Sequence, residues 1–240
     1  MTLFPTILFE ILVYILFIIT SYVAKSRHGK NVFILFTIII GIAFYIEIAA
    51  ISRQGYDYLD FMIVFENYPF ALPFGWVVFF YWAHTMAEGL ITWKDDSWLR
   101  VILLAITTGV ITGSMSLFLE TGGQALGWWI YHTNGIWGVT LLDLPLEIFL
   151  TYLAWGAADG LIFRTAMWFG FIKRNKFKPS IIIFVPSLCC LGFFIIMAIA
   201  TYFEDPELVL LWLFNVNLYP IVSIIRFYED EFKEKVKLLT

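Results

Sequence analysis

Four carboxylates, Glu47, Glu120, Asp143 and Glu147, stand where apolar stretches end or begin, in a chain of 240 residues that is 61% hydrophobic and only 14% charged. A carboxylate within the hydrocarbon region of a bilayer is costly, which makes each one a functional candidate. Buried in a low dielectric, a carboxyl group resists ionisation. It can then keep its proton near neutral pH and give it up as a general acid. Glu147 is the leading candidate. Asp143 precedes it by one helical turn, so a helix through both presents them on one face. At 1.5 Å per residue, Glu147 is expected roughly 12 Å below the preceding loop. Asn215 and Asn217, in a later apolar segment, are expected at a similar depth and able to hydrogen-bond to it. The plainer alternative is that these groups only tie helices together.

The other two glutamates belong to a repeated pattern. Tyr58 follows Glu47 by eleven residues, and Tyr131 follows Glu120 by eleven; Pro73 and Pro145 come fifteen and fourteen residues after the tyrosines. The pattern predicts a parallel internal repeat, in which spans two and three correspond to spans four and five. Aromatic residues crowd the same regions. The ring faces of Trp76, Tyr81, Trp128, Trp129 and Tyr131 can hold a cation. Buried acid with aromatic faces suits protonation of a polyene double bond, the resulting carbocation being held by the rings.

Other chemistries lack their residues. A retinal protein needs a lysine in its last span, and 208–227 has none. Three histidines, His28, His84 and His132, are too few and too scattered for a di-iron centre, and His84 with Glu88 is too little for a metal site. Asp95–Asp96 is an unrepeated acidic pair, and there is no glycine-rich nucleotide motif. Cys189 and Cys190 are adjacent in an apolar run, with neither disulfide nor zinc spacing. No metal or cofactor is therefore expected. A second polar set, His84, Glu88, Asp159 and Arg164, is expected deeper in the bundle, with Asp159 and Arg164 as a pair.

The elements that must position these groups are membrane helices. With a mean hydropathy of +0.84, the chain is expected to have lipid as its solvent. A crossing needs roughly 20 apolar residues. Seven segments qualify, at about 3–24, 31–52, 70–92, 98–119, 139–163, 180–203 and 208–227. The expected fold is an all-α polytopic bundle of seven transmembrane helices forming one domain, 1–240. With the N-terminus outside, every lysine and arginine except Arg53 falls on the inner side, which predicts a cytoplasmic C-terminus in the cell membrane. Trp93, Trp98 and Trp168 then mark the inner interface. Gly109 with Gly113, and Gly156 with Gly160, have the spacing of close helix contacts.

Residues 47–82, "EIAAISRQGYDYLDFMIVFENYPFALPFGWVVFFYW", resemble the membrane-integral carotenoid-biosynthesis proteins that include carotenoid hydratases. The likeness rests on Glu47, Gly55, Tyr56, Tyr58, Pro69, Pro73, Gly75 and Trp76. Residues 126–153 look like the same family, and Pro145-Leu146-Glu147 is also similar to an element of membrane-integral lycopene cyclases; Ile148 replaces the second glutamate of that element. The hydratases' Asp-Pro and Asn-x-Gly-Trp elements are not visible. The resemblance implies a cofactor-free enzyme that hydrates or cyclises the end of an isoprenoid polyene. Glu147, Glu47, Glu120 and Asp143 would be its acids. Trp76, Tyr58, Tyr81, Trp128, Trp129, Tyr131 and Asn215 would bind substrate. The expected partners are the polyene and the bilayer, with no nucleic acid. A proton- or cation-coupled transporter and a structural subunit of a membrane complex are the alternatives.

Overall fold

A computed structural model describes residues 4–52, 56–58, 61–65, 67–91, 97–132, 138–141 and 144–173. The sixth and seventh expected spans, with Asn215, Cys189 and Cys190, lie outside the described residues, as does Asp143. The described chain is mainly helical: α1 (Phe4–His28), α2 (Val32–Ser52), α3 (Leu72–Leu90), α4 (Trp98–Ala125) and α5 (Leu146–Trp168). Short strands fill the connections: β1 (Tyr56–Tyr58), β2 (Val64–Phe65) and β3 (Tyr68–Pro69) before α3, and β4 (Trp129–Tyr131), β5 (Thr140–Leu141) and β6 (Leu144–Pro145) before α5.

Among the described residues four helices, α1, α2, α4 and α5, are long and apolar enough to cross a membrane. Their outward faces carry large apolar side chains such as Ile18, Ile34, Ile106 and Leu161, as a lipid-facing surface requires. Helix α3 is of another kind. It has 19 residues, carries Thr85, His84 and Glu88 near its end, and buries nearly every side chain from Leu72 to Ala87. It is the central helix, touching α1, α2, α4 and α5. Pro73 sits in its first turn, where the missing N–H has no helical partner to lose.

Helices α4 and α5 make the most intimate contact, and glycine permits it. A Cβ on Gly109 would meet the Leu153 carbonyl oxygen at 2.5 Å, and one on Gly156 would lie 3.1 Å from the Cα of Gly109. The neighbouring polar side chains of α4 bond within their own helix: Thr108 and Thr112 donate to the carbonyls of Leu104 and Thr108, each at 2.7 Å. Buried hydroxyls thus cost little at this interface.

The strands lie together at one end. β1 pairs antiparallel with β4, placing Tyr56 opposite Tyr131, Asp57 opposite Ile130, and Tyr58 opposite Trp129. Two tight hairpins flank this pair. In one, Val64 faces Pro69, and the Phe70 N–H donates to the Ile63 carbonyl at 2.8 Å; in the other, Thr140 faces Pro145, and the Leu146 N–H donates to the Val139 carbonyl at 2.9 Å. Pro145 therefore matches Pro69. The sequence pairing of Pro145 with Pro73 is corrected, since Pro73 is already helical.

Two helix boundaries also depart from expectation. Helix α4 runs to Ala125, so Glu120 lies inside it and does not close it. The second hairpin uses residues up to Pro145, so α5 starts at Leu146 and Glu147 is in its first turn. Glu147 is consequently not a deep residue, and strand β6 interrupts the helical face expected to join it to Asp143.

Candidate functional site

Beneath the β1–β4 pair lies a cavity of about 310 Å³, lined chiefly by apolar and aromatic side chains from α1 to α5. Two carboxylates face it, Glu47 from α2 and Glu120 from α4, each only 5% exposed. Each is tied to the tyrosine eleven residues further on: the Tyr58 hydroxyl donates to Glu47 Oε2 at 2.9 Å, and that of Tyr131 to Glu120 Oε2 at 2.7 Å. The reason is local. Each glutamate sits near the end of a helix and each tyrosine on the strand that folds back over that end, so the eleven-residue interval closes a short loop around the bond. The strand pairing then brings the two units together over one space.

Glu120 has a further donor. The Tyr152 hydroxyl of α5 donates to Glu120 Oε1. The Tyr152 ring stacks on Trp76 of α3, with centroids 4.8 Å apart and planes within 6° of parallel. Around this stack, α3 lines the cavity with Leu72, Gly75, Trp76, Val78, Phe79 and Trp82, and α5 with Ile148, Thr151, Tyr152 and Trp155. The α5 residues have the i, i+3, i+4, i+7 spacing of one helical face, and α3 presents the same spacing from Leu72 to Phe79 with Val78 and Trp82 widening its face. Trp155 packs on Trp76 at 4.7 Å and Phe79 on Tyr152 at 5.9 Å, so the central stack is flanked on both sides. Trp129 completes the roof. Its ring lies against Gly123, where any Cβ would collide with it.

Of the residues singled out in the sequence, Glu47, Glu120, Tyr58, Trp76, Trp129 and Tyr131 meet at this cavity. Glu147 does not line it. Trp128 is buried beside it, packed on Phe9 at 4.4 Å. Tyr81 belongs elsewhere, edge-on to His28 at 5.9 Å near the opposite end of the bundle. Tyr152 was missed. Its only sequence signal is the i, i+3, i+4, i+7 spacing of Ile148, Thr151, Tyr152 and Trp155, which puts it on one helical face with two further large side chains.

The opposite end holds the second polar set, rearranged. Glu88 accepts from Arg27 at 2.8 Å and lies 3.6 Å from Arg164, with His84 Nε2 at 3.9 Å. Arg27 also donates to Thr85 Oγ1 at 3.1 Å. The expected Asp159–Arg164 pair does not form. Arg164 turns to Glu88, and both carboxylate oxygens of buried Asp159 have no hydrogen-bond partner among the described residues. Glu88 thus pins α1, α3 and α5 together. Buried pairs of this kind are strongly destabilising when one member is removed.

Among the described residues no cluster of three or more metal-ligating side chains is present. No protein-family model, curated protein or solved structure matches the chain.

Proposed function

We propose that this chain is a membrane enzyme that uses acid catalysis to hydrate or cyclise the end of an isoprenoid polyene. The observation that carries this reading is the pair of buried carboxyl groups, Glu47 and Glu120, each bonded to a tyrosine and both facing one aromatic cavity. A cavity of about 310 Å³ is at the small end of ligand sites. It suits one terminus of a long polyene, with the remainder of the chain lying in the bilayer.

A proton delivered to the terminal double bond breaks a carboxyl O–H and forms a C–H bond. The carbocation left behind faces the rings of Trp76, Tyr152 and Trp129, whose negative faces favour cations. Water can then add to it and release a proton, giving an alcohol. Alternatively a neighbouring double bond closes a ring and an adjacent C–H gives up its proton. Dry walls strengthen each of these electrostatic contacts.

The same reading takes the chain as a seven-span protein of the cell membrane, N-terminus outside, with spans two and three repeated as spans four and five. The matched Glu–Tyr bonds and matched hairpins support the repeat. So does the β1–β4 pairing, which exchanges equivalent residues about the Asp57–Ile130 pair. The likeness of residues 47–82 and 126–153 to carotenoid hydratases and cyclases supports the substrate class.

The test is expression of the full chain in a host that accumulates an acyclic carotenoid, with chromatography and mass measurement of the pigments. A mass gain of one water indicates hydration, and an isomer of unchanged mass indicates cyclisation. Unaltered pigment in cells that contain the folded protein defeats the proposal.

A further inference from the structure

Four consecutive apolar residues of the first hairpin, Met62, Ile63, Val64 and Phe65, are each between 48% and 55% exposed. Neighbouring side chains on a strand point to opposite faces. Val64 and Phe65 make up β2 and both are exposed, so neither face of it is covered. The partner strand differs, since Tyr68 and Pro69 are buried. The second hairpin differs too: Gly138 and Thr140 alternate there with Val139 and Leu141. A contiguous exposed apolar patch marks a contact surface.

The two ends of the hairpin show what it contacts. At its start the Met62 N–H donates at 2.7 Å to Oε1 of Glu10, a fully buried residue of α1. The next residue of α1 is Ile11, which begins the exposed row Ile11, Ile15 and Ile18. At the other end the Phe70 ring packs on Phe44 of α2 at 5.7 Å. Beside Phe44 stands Tyr45, which shares the exposed face of α2 with Ile38 and Ile42. The hairpin is thus fastened at both ends where the lipid-facing strips of α1 and α2 run out, and its apolar surface continues them.

Its depth follows from its backbone. Val64 and Phe65 pair with Pro69 and Tyr68, and among the described residues no strand pairs with the other edge of β2. Unpaired backbone groups are not tolerated in the hydrocarbon core, so the strand stays where water still reaches it. No lysine or arginine occurs between residues 54 and 93, so no basic side chain in this stretch draws it to anionic headgroups.

We infer that residues 62–65 lie in the membrane itself, at the boundary between headgroups and acyl chains of the leaflet on the side of the strand roof. Their side chains are immersed by about 5–10 Å, the usual depth of an interfacial segment. The partner is the lipid of that leaflet, which can cover both faces of a strand at once, as a protein docked on one side cannot. Phe61, just before these residues, packs on Phe9 at 6.1 Å and on Tyr58 at 5.8 Å, both in the cavity wall. The immersed segment therefore borders the cavity. This inference needs the chain to be a membrane protein; it needs neither the polyene nor the catalysis.

The experiment places single cysteines at Val64 and Phe65, on opposite faces of β2, in the full-length protein without Cys189 and Cys190. Each is labelled with a nitrobenzoxadiazole fluorophore, and the protein is put into phosphatidylcholine nanodiscs. Val139→Cys is the water-side reference. The two quenchers are iodide, which stays in water, and phosphatidylcholine carrying a nitroxide high on its acyl chain. At both Val64→Cys and Phe65→Cys we expect blue-shifted emission that the nitroxide lipid quenches and iodide does not. Val139→Cys should show the reverse. Quenching by iodide at either strand position puts that face in water and overturns the inference. Emission that neither quencher reaches means that protein covers the strand, from elsewhere in this chain or from a second copy, and overturns it equally. Failure of pigment conversion in the host assay would defeat the enzyme while leaving this result standing.

Discussion

Trp76 of α3 and Tyr152 of α5 stack on each other at 4.8 Å, and both rings line the cavity. One side of this contact is apolar and the other carries a hydroxyl bonded to Glu120. Tyr152→Phe keeps the stack and removes only the bond. We expect it to lower stability by about 1 kcal/mol, the usual net worth of a buried hydrogen bond. Trp76→Ala removes the stack and leaves a hole, which typically costs about 3–5 kcal/mol. Apparent Tm in detergent should separate the two, with Trp76→Ala much the lower.

Glu47→Gln and Glu120→Gln should each reduce conversion of the acyclic pigment by ~10²–10⁴-fold, the loss typical of a missing general acid. Glu147 stands in the first turn of α5 and outside the cavity lining. Glu147→Gln should therefore cost less than either. Equal losses in all three, in variants that melt normally, would return the acid to the start of α5.

Gly109→Ala is the test of the α4–α5 contact. Its new methyl would sit 2.5 Å from the Leu153 carbonyl oxygen, and backbone cannot turn aside as a long side chain can. Overpacking of this kind costs about 1–3 kcal/mol. Gly41→Ala is the internal control, because a Cβ there meets nothing within 4 Å among the described residues.

Removing Glu88 should be worse than either glycine change. Glu88→Gln removes the Glu88 charge from beside buried Arg27 and Arg164, a loss expected to cost about 3–5 kcal/mol. Glu88→Asp should recover part of this. If Glu88→Gln melts with the wild type, the cluster does not hold α1, α3 and α5 together.

Orientation can be read by cysteine labelling in a background without Cys189 and Cys190. Val139 is exposed beside the strand roof, and Lys30 is exposed at the other end of the bundle. An impermeant maleimide applied to intact cells should label Val139→Cys and spare Lys30→Cys. The opposite pattern would invert the proposed topology.

Hydropathy alone located the five described helices, α1, α2, α4 and α5 as long apolar runs and α3 because a helix buried on every side is apolar too. It did not reveal that α3 is central, since its aromatic and polar content still reads as a span. The strands of two or three residues were invisible: period-two alternation needs a longer run to register. That omission misplaced the start of α5 and gave Glu147 a false depth. Arg27 read as one of several basic residues marking the inner side, and nothing local indicates that it turns inward to Glu88, sixty-one residues away. The Glu47–Tyr58 and Glu120–Tyr131 intervals were visible because both bonds close locally. The second donor to Glu120 comes from another helix, and no interval within α4 reveals it.

The roof has a consequence for how the chain is made. Each Glu–Tyr bond closes within eleven residues, so each can form soon after its own helix is inserted. The strand pair cannot, because β1 must await β4 in a much later part of the chain. At the usual 5–20 residues per second, the wait is roughly 4–15 s. Through that interval the backbone of 56–58 lacks its β4 partner. Asp57 lies at its centre, and a charge at such a place discourages wrong pairing. When β4 arrives, His132 comes to lie 2.9 Å from the Asp57 carboxylate. The charge that discourages wrong pairing while β4 is awaited thus ends as one half of an exposed contact across the finished pair.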